Sequence, residues 1–215
     1  MMHTSAAESD RIPFNVILLG DPASGKGTQS ARLAARYGMY DFDMGREVKK
    51  PENLKLYDYA HTTAVGKLTP TAVARKIFRE KILRTPDRQG IVFSGTPKMI
   101  GEAKLVERLL RERGRRDPLV IYLHIPVKEV LVRMRGRRVE VRGKLAVRDD
   151  DNERALANRR RYYREQVSRV VELFKKRYEL RRISGMGTES EVAARIEAAI
   201  ASHLKKASRR NKISR

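Results

Sequence analysis

A chain of 215 residues, 40% apolar and 34% charged, is long enough to bury one full core and reads as a single soluble globular domain with room for an insertion or two. It has no cysteine, which excludes disulfides and cysteine-ligated zinc, and no apolar run of the roughly 18 residues that a membrane span needs. Its 48 basic and 26 acidic residues leave a net charge of +22, a field that favours polyanions such as nucleoside phosphates, nucleic acids or anionic membrane surfaces without choosing among them. A solvated basic surface with no partner is the plain alternative. The opening residues lack the apolar stretch of a secretory signal, so a cytoplasmic protein with no membrane attachment is expected.

Along the chain, apolar runs alternate with helical patterns. Phe14 to Gly20, "FNVILLG", is a continuous apolar strand, and an amphipathic helix follows over 25–37. A short strand is expected around Met39 to Phe42, then helices over Leu54 to Ala64 and Thr71 to Leu83, the second opened by Thr69-Pro70. "GIVFSG" (Gly90 to Gly95) is a buried strand, followed by a helix from Ile100 to Arg113. "PLVIYLHIP" (Pro118 to Pro126) is another, closed by proline, with a helix over Val127 to Arg137. "VEVRGKLAV" reads as a small loop or hairpin, and a long helix is expected over Asp150 to Arg177. "YELRRISG" is a weak last strand, Ser190 to Lys205 a last helix, and 205–215 a basic, disordered tail. Fully apolar strands alternating with helices imply a parallel sheet covered on both faces.

The stretch "GDPASGKGT" directly follows the first strand and opens the first helix. Gly20, Gly25 and Lys26 fall at the spacing of the phosphate loop G-x-x-x-x-G-K-[ST], but Gly27 stands where a hydroxyl is expected. Such a loop works by geometry. Its glycines let successive amides curl around an anion, a helix N-terminus adds its positive end, and the lysine neutralises charge.

At that glycine the sequence resembles a family. "GDPASGKGTQ" is similar to the G-x-P-x-x-G-K-G-T-Q loop of adenylate kinases and related nucleoside monophosphate kinases, in which glycine regularly follows the lysine. The resemblance implies that Gly20, Ala23, Ser24, Gly25, Lys26, Gly27, Thr28 and Gln29 hold ATP, with the Thr28 hydroxyl on the accompanying Mg²⁺. It continues in family order. "RMRGRR" is similar to R-x-x-G-R-R, making Arg133 and Arg137 arginines that meet ATP phosphates. "RDDDNERALANRR" resembles the R-x-D-D segment and its later arginine. That maps Arg148 and Arg159 onto transition-state and phosphate arginines, and Asp150 and Asp151 onto the acids that hold lid arginines. Phosphoryl transfer asks for such a cluster, because its charge spreads over three oxygens and catalysis is positioning plus cationic stabilisation. "GKLTPTAVA" and "SGTPKMIGEA" match the acceptor-binding segments, with Gly66, Thr69-Pro70, Gly95, Pro97 and Ala103 in place.

The departures gather on the acceptor side. In "DMGREVK", Met44 replaces the family's threonine, Arg46 its aspartate and Lys49 its arginine; Gly45 is retained. In the later segment Ser94 replaces aspartate, Lys98 arginine and Glu102 glutamine. Lys49 and Lys98 keep positive charge but lose the planar fork of arginine. Glu102 only accepts hydrogen bonds, which suits the donors of a guanine edge; a solvated glutamate at a drifted position is the alternative. With Arg46 and Ser94 in place of two acids, Mg²⁺ would be held by the nucleotide, Thr28 and water. Ser94 would act through a metal-bound water, and Asp43 is a neighbouring substitute. The four histidines have no metal-ligand spacing, and His124 reads as a satisfied strand-end residue.

The resemblance thus implies a three-layer α/β/α phosphate-loop fold with a five-stranded parallel sheet. A single kinase domain over 1–204 would carry a helical acceptor-binding insert at about 43–72 and a short lid at about 138–148. The expected activity is transfer of the γ-phosphoryl of ATP·Mg²⁺ to a nucleoside monophosphate, foremost AMP, by a monomer using Lys26, Arg133, Arg148 and Arg159. Met44, Gly45, Lys49, Thr69, Gly95, Lys98, Glu102, Arg148 and Arg159 would meet the acceptor. The alternatives are GMP or another acceptor, or an impaired ATP-binding protein that contacts RNA through its basic surface and tail.

Overall fold

A computed structural model describes residues 14–65, 67–135, 138–141, 144–147 and 163–213. Among them, β1 (Val16–Gly20), β2 (Tyr40–Asp43), β3 (Ile91–Ser94), β4 (Leu119–His124) and β7 (Leu180–Ser184) form one sheet. Its order is β2-β3-β1-β4-β7, and every neighbouring pair is parallel. Two further strands, β5 (Arg138–Val141) and β6 (Lys144–Val147), make a separate antiparallel hairpin, as "VEVRGKLAV" allowed.

The helices are α1 (Lys26–Tyr37), α2 (Met44–Glu47), α3 (Pro51–Leu54), α4 (Thr71–Arg84), α5 (Ile100–Glu112), α6 (Val127–Arg135), α7 (Ser168–Arg177) and α8 (Glu189–Ile213). Alternation along each strand sends successive side chains to opposite faces. Ile17, Leu19, Phe42, Phe93 and Val120 pack under α4, α5 and α7. Val16, Leu18, Val92, Leu119 and Ile121 pack under α1 and α8. Both faces are therefore dry, which is why the strands read as unbroken apolar runs. Phe42 stacks on Phe78 with ring centroids 5.1 Å apart, anchoring β2 to α4.

Two expectations need correction. No helix spans Leu54 to Ala64. Pro51 starts a single turn earlier, as its fixed φ favours, and a short 3₁₀ turn follows at Thr63–Val65. Between them the His61 amide donates to the Asp58 carboxylate at 3.1 Å, and Thr62 Oγ1 donates to the Asp58 carbonyl. Those local bonds compete with a helical ladder. At the other end, α8 continues to Ile213, so residues 205–213 are helix and not a disordered tail. Lysine, arginine and alanine are good helix formers, and cations near a helix C-terminus complement its dipole. The helix expected from Asp150 is described from a π-helical turn at Tyr163–Val167 onward.

Candidate active site

β1 lies between β3 and β4, and the connections leaving the carboxyl ends of β1 and β3 run to opposite sides, to β2 and to β4, which opens a crevice there. The phosphate loop fills that point. A side chain at Gly20 would run into the backbone of Leu123, its register partner on β4. Gly25, at φ 90°, takes a left-handed turn that lets α1 start with its axis on the loop. Gly25 gives that start no side-chain cap and no acid sits in its first turn, which favours an anion at the leading amides.

Lys26 Nζ donates to the carbonyls of Gly20 at 2.9 Å and Asp21 at 2.7 Å, which curls the lysine back over the loop. Gly95, just past β3, lies against it: a Cβ there would meet Lys26 Cε at 3.3 Å. Two motifs about seventy residues apart in the chain are thus brought together. Thr28 is exposed, while Ser24 is buried. Gln29 is buried and donates to the carbonyl of Glu189 at 2.9 Å, so its amide fastens α1 to α8 and is not presented to the loop. A Cβ on Gly27 would meet nothing within 4 Å among the described residues, so no contact there requires that glycine.

Arg133, on α6, is held by Glu129 at 2.6 Å and donates to the carbonyl of Gly185 at 3.0 Å. That carbonyl belongs to the loop after β7, which the sequence reading missed. A Cβ on Gly185 would press on the Ser24 carbonyl at 3.0 Å, so this loop forms a wall beside the phosphate loop. Ala23 and Met186 pack on the same apolar patch of Ile125, Val130 and Met134. The glycine pair of "SGMGT" after the last strand was the available signal. Asp21 was also missed: its carboxylate accepts from Tyr122 Oη at 2.7 Å and from the Ile125 amide at 2.9 Å. His124 Nδ1 lies 2.9 Å from the same carboxylate, so this histidine is the satisfied strand-end residue that was expected.

The acceptor segments are arranged differently. Asp43 and Ser94 are register partners at the ends of β2 and β3. Asp43 Oδ1 accepts the Arg46 amide at 2.9 Å and caps α2, while Arg46 itself pairs with Asp41 at 2.6 Å. Met44 is buried in the core, beside the turn at Gly45. Lys49 is exposed, its Nζ 6.0 Å from the Tyr59 ring centroid. Thr69 lies just before α4; the Tyr57 phenol shares a hydrogen bond with Thr63 Oγ1 at 3.0 Å, and burial lowers its acidity. Glu102 is only 5% exposed and is not a solvated residue. Its Oε2 accepts the amides of Lys98 at 2.8 Å and Met99 at 3.3 Å, capping α5. Burial outweighs those bonds and holds the carboxyl above its ordinary value. Gly66, Arg137, Arg148, Asp150, Asp151 and Arg159 lie outside the described residues.

Among the described residues no group of three acids or histidines is arranged to hold a metal. A groove of about 620 Å³, lined by Phe14, Arg116, Tyr178 and His203 among others, opens at the amino ends of the strands and shares no residue with the phosphate loop.

Comparison with known proteins points the same way. A family model described as adenylate kinase matches residues 18–179. The adenylate kinase of Syntrophobacter fumaroxidans is 30% identical over 213 residues, spanning 86% of this chain and 99% of that protein. That of Thermus thermophilus is 33% identical over 195 residues, spanning 86% and 96%. That of Bacteroides thetaiotaomicron is 30% identical over 191 residues, spanning 87% and 98%. With the fold, the loop and the family match in agreement along most of its length, the chain belongs to the adenylate kinase family.

Proposed function

We propose that the chain is a phosphotransferase that moves the γ-phosphoryl of ATP reversibly onto AMP, giving two molecules of ADP. The observation that carries this reading is the uncapped start of α1, with Lys26 folded back over the loop and Gly95 packed against it. The backbone of the loop over 21–28, through amides not already bonded within the protein, and Lys26 would bind the donor phosphates, the lysine exchanging its carbonyl partners for phosphate oxygens. Thr28 would hold a nucleotide-bound magnesium ion, with Ser94 acting through a water; when bound, the ion bridges and neutralises phosphate oxygens. Arg133 stands beside the loop, and Arg137, Arg148 and Arg159 complete the cationic cluster by motif order.

The acceptor would dock between the insert at about 43–72 and the segment 95–102, with Lys49 and Lys98 on its phosphate. The β5–β6 hairpin is the natural lid over 138–148, excluding water that would otherwise hydrolyse ATP. GMP is disfavoured as the acceptor, since the carboxylate offered for its base is occupied in the α5 cap. A coupled assay with ATP, Mg²⁺ and each monophosphate in turn checks the assignment. Fastest turnover with AMP is expected, and no turnover with any acceptor would overturn it.

The net charge of +22 and the lysines and arginines of α8 beyond Leu204 support nonspecific nucleic-acid contact as an additional property. Salt-dependent RNA binding that disappears on removing residues 205–215 is the expected result. The same reading takes the protein as a cytoplasmic monomer, which sedimentation and fractionation would check.

A further inference from the structure

We propose that Asp21 is a positioning residue whose carboxylate fastens the phosphate loop to the end of β4 and thereby sets how the loop meets the donor phosphates. The inference rests on the reading of that loop as the ATP site.

A carboxylate in the second position of an anion-binding loop is unexpected, because its charge opposes that of the ligand. The structure accounts for it. Oδ1 accepts from Tyr122 Oη at 2.7 Å; Oδ2 accepts from the Ile125 amide at 2.9 Å and has His124 Nδ1 at 2.9 Å. Both oxygens are thus engaged by the terminal residues of β4 and the residue that follows it. The backbone of Asp21 is engaged as well. Its amide donates to the Leu123 carbonyl at 3.0 Å, and its carbonyl accepts from the Ser24 amide at 3.1 Å and Lys26 Nζ at 2.7 Å. A single residue therefore connects the end of a central strand, through its side chain, to the phosphate lysine, through its carbonyl.

The tie is braced from behind. Tyr122 packs against the core on the α5 face, and the Arg182 guanidinium stands 5.2 Å from its ring centroid. Charge-assisted bonds to a phenol and a backbone amide are shorter and stronger than neutral ones. His124, with a side chain 61% exposed, is the weakest of the three partners. Fixing the loop matters because transfer is sensitive to displacement of the bound phosphates by as little as about 1 Å.

The test compares the full-length protein with Asp21→Ala, Asp21→Asn, Tyr122→Phe and the double variant Asp21→Ala/Tyr122→Phe. ATP dissociation constant, KM for AMP and thermal midpoint are measured for each. The wild type binds ATP. Asp21→Ala is expected to weaken ATP binding about 10- to 100-fold while KM for AMP stays within about twofold. Asp21→Asn keeps one acceptor but turns an NH₂ toward the remaining donors, so an intermediate loss is expected. Tyr122→Phe should cost about threefold, and the double variant should bind no worse than Asp21→Ala, since both changes delete one shared bond. If Asp21→Ala does not fold, Tyr122→Phe and Asp21→Asn carry the comparison. A lowered midpoint with unchanged ATP affinity would overturn the proposal, as would equal losses for ATP and AMP or strict additivity in the double variant. A wild type that does not bind ATP would overturn the reading beneath it as well.

Discussion

The phosphate loop and the segments proposed to bind the acceptor spend their polar groups in opposite ways. On the donor side, Gly25 gives α1 no side-chain cap, and Lys26 Nζ donates to the carbonyls of Gly20 and Asp21, partners that a phosphate can displace. On the acceptor side several of the side chains that replace family residues are engaged by other parts of the protein. Arg46 pairs with Asp41, Glu102 caps α5, Met44 lies in the core, and Lys49 rests near Tyr59. The lesson is that a backbone-built site survives sequence change more readily than a side-chain-built one. Changing a loop side chain leaves the amides in place, whereas the substitutions at Arg46 and Glu102 each place a side chain in a bond of its own.

The sharpest way to break this contrast is Lys26→Ala. Loss of the one lysine folded over the loop should lower kcat/KM on the order of 10³-fold, with little change in thermal midpoint. Full activity would show the loop has been misread. Gly27→Ala comes next. Among the described residues no atom crowds the site of the added methyl, and alanine favours helix, so stability should hold or rise by a few tenths of a kcal/mol. ATP affinity should nevertheless fall about tenfold if the glycine makes room for phosphate. Unchanged affinity would remove Gly27 from the donor site.

Lys49→Arg tests the other half. Restoring a planar fork should lower KM for AMP about three- to tenfold and leave KM for ATP alone, measured by steady-state kinetics. The smallest effect is expected from Glu102→Gln. Burial raises the Glu102 carboxyl above its ordinary 4.5, so the folded state holds its proton more tightly than the unfolded state. That contribution to stability is fully present below pH 4.5 and is lost as pH rises through the folded value. Glutamine removes the cost of a buried charge while an oxygen still caps the helix. The midpoint at pH 7 should therefore rise by about 2–4 °C, and the gain should vanish in acid. A change in acceptor preference instead would return Glu102 to base recognition.

Sequence alone was enough for the sheet and the phosphate loop because their determinants are contiguous. Apolar runs long enough to be strands, glycines at fixed spacing and one lysine carry their geometry locally. It failed where the deciding partner was remote or competing. Nothing near Asp21 announces Tyr122 and Ile125, 101 and 104 residues further on. Glu102 reads as a ligand group until its bonds to the amides of Lys98 and Met99 are seen. The pattern over Leu54 to Ala64 is helical in its apolar spacing, but the bonds around Asp58 divert the backbone. The charge of 205–215 suggested disorder, whereas α8 carries helix-forming residues onward to Ile213.

The contrast itself can be measured by calorimetric titration of the wild type with ATP·Mg²⁺ and with AMP, separately and at one ionic strength. A preformed backbone site beside an acceptor site reduced to point charges should bind ATP at least about tenfold more tightly than AMP. AMP binding as tight as ATP, or no ATP binding at all, would contradict the account.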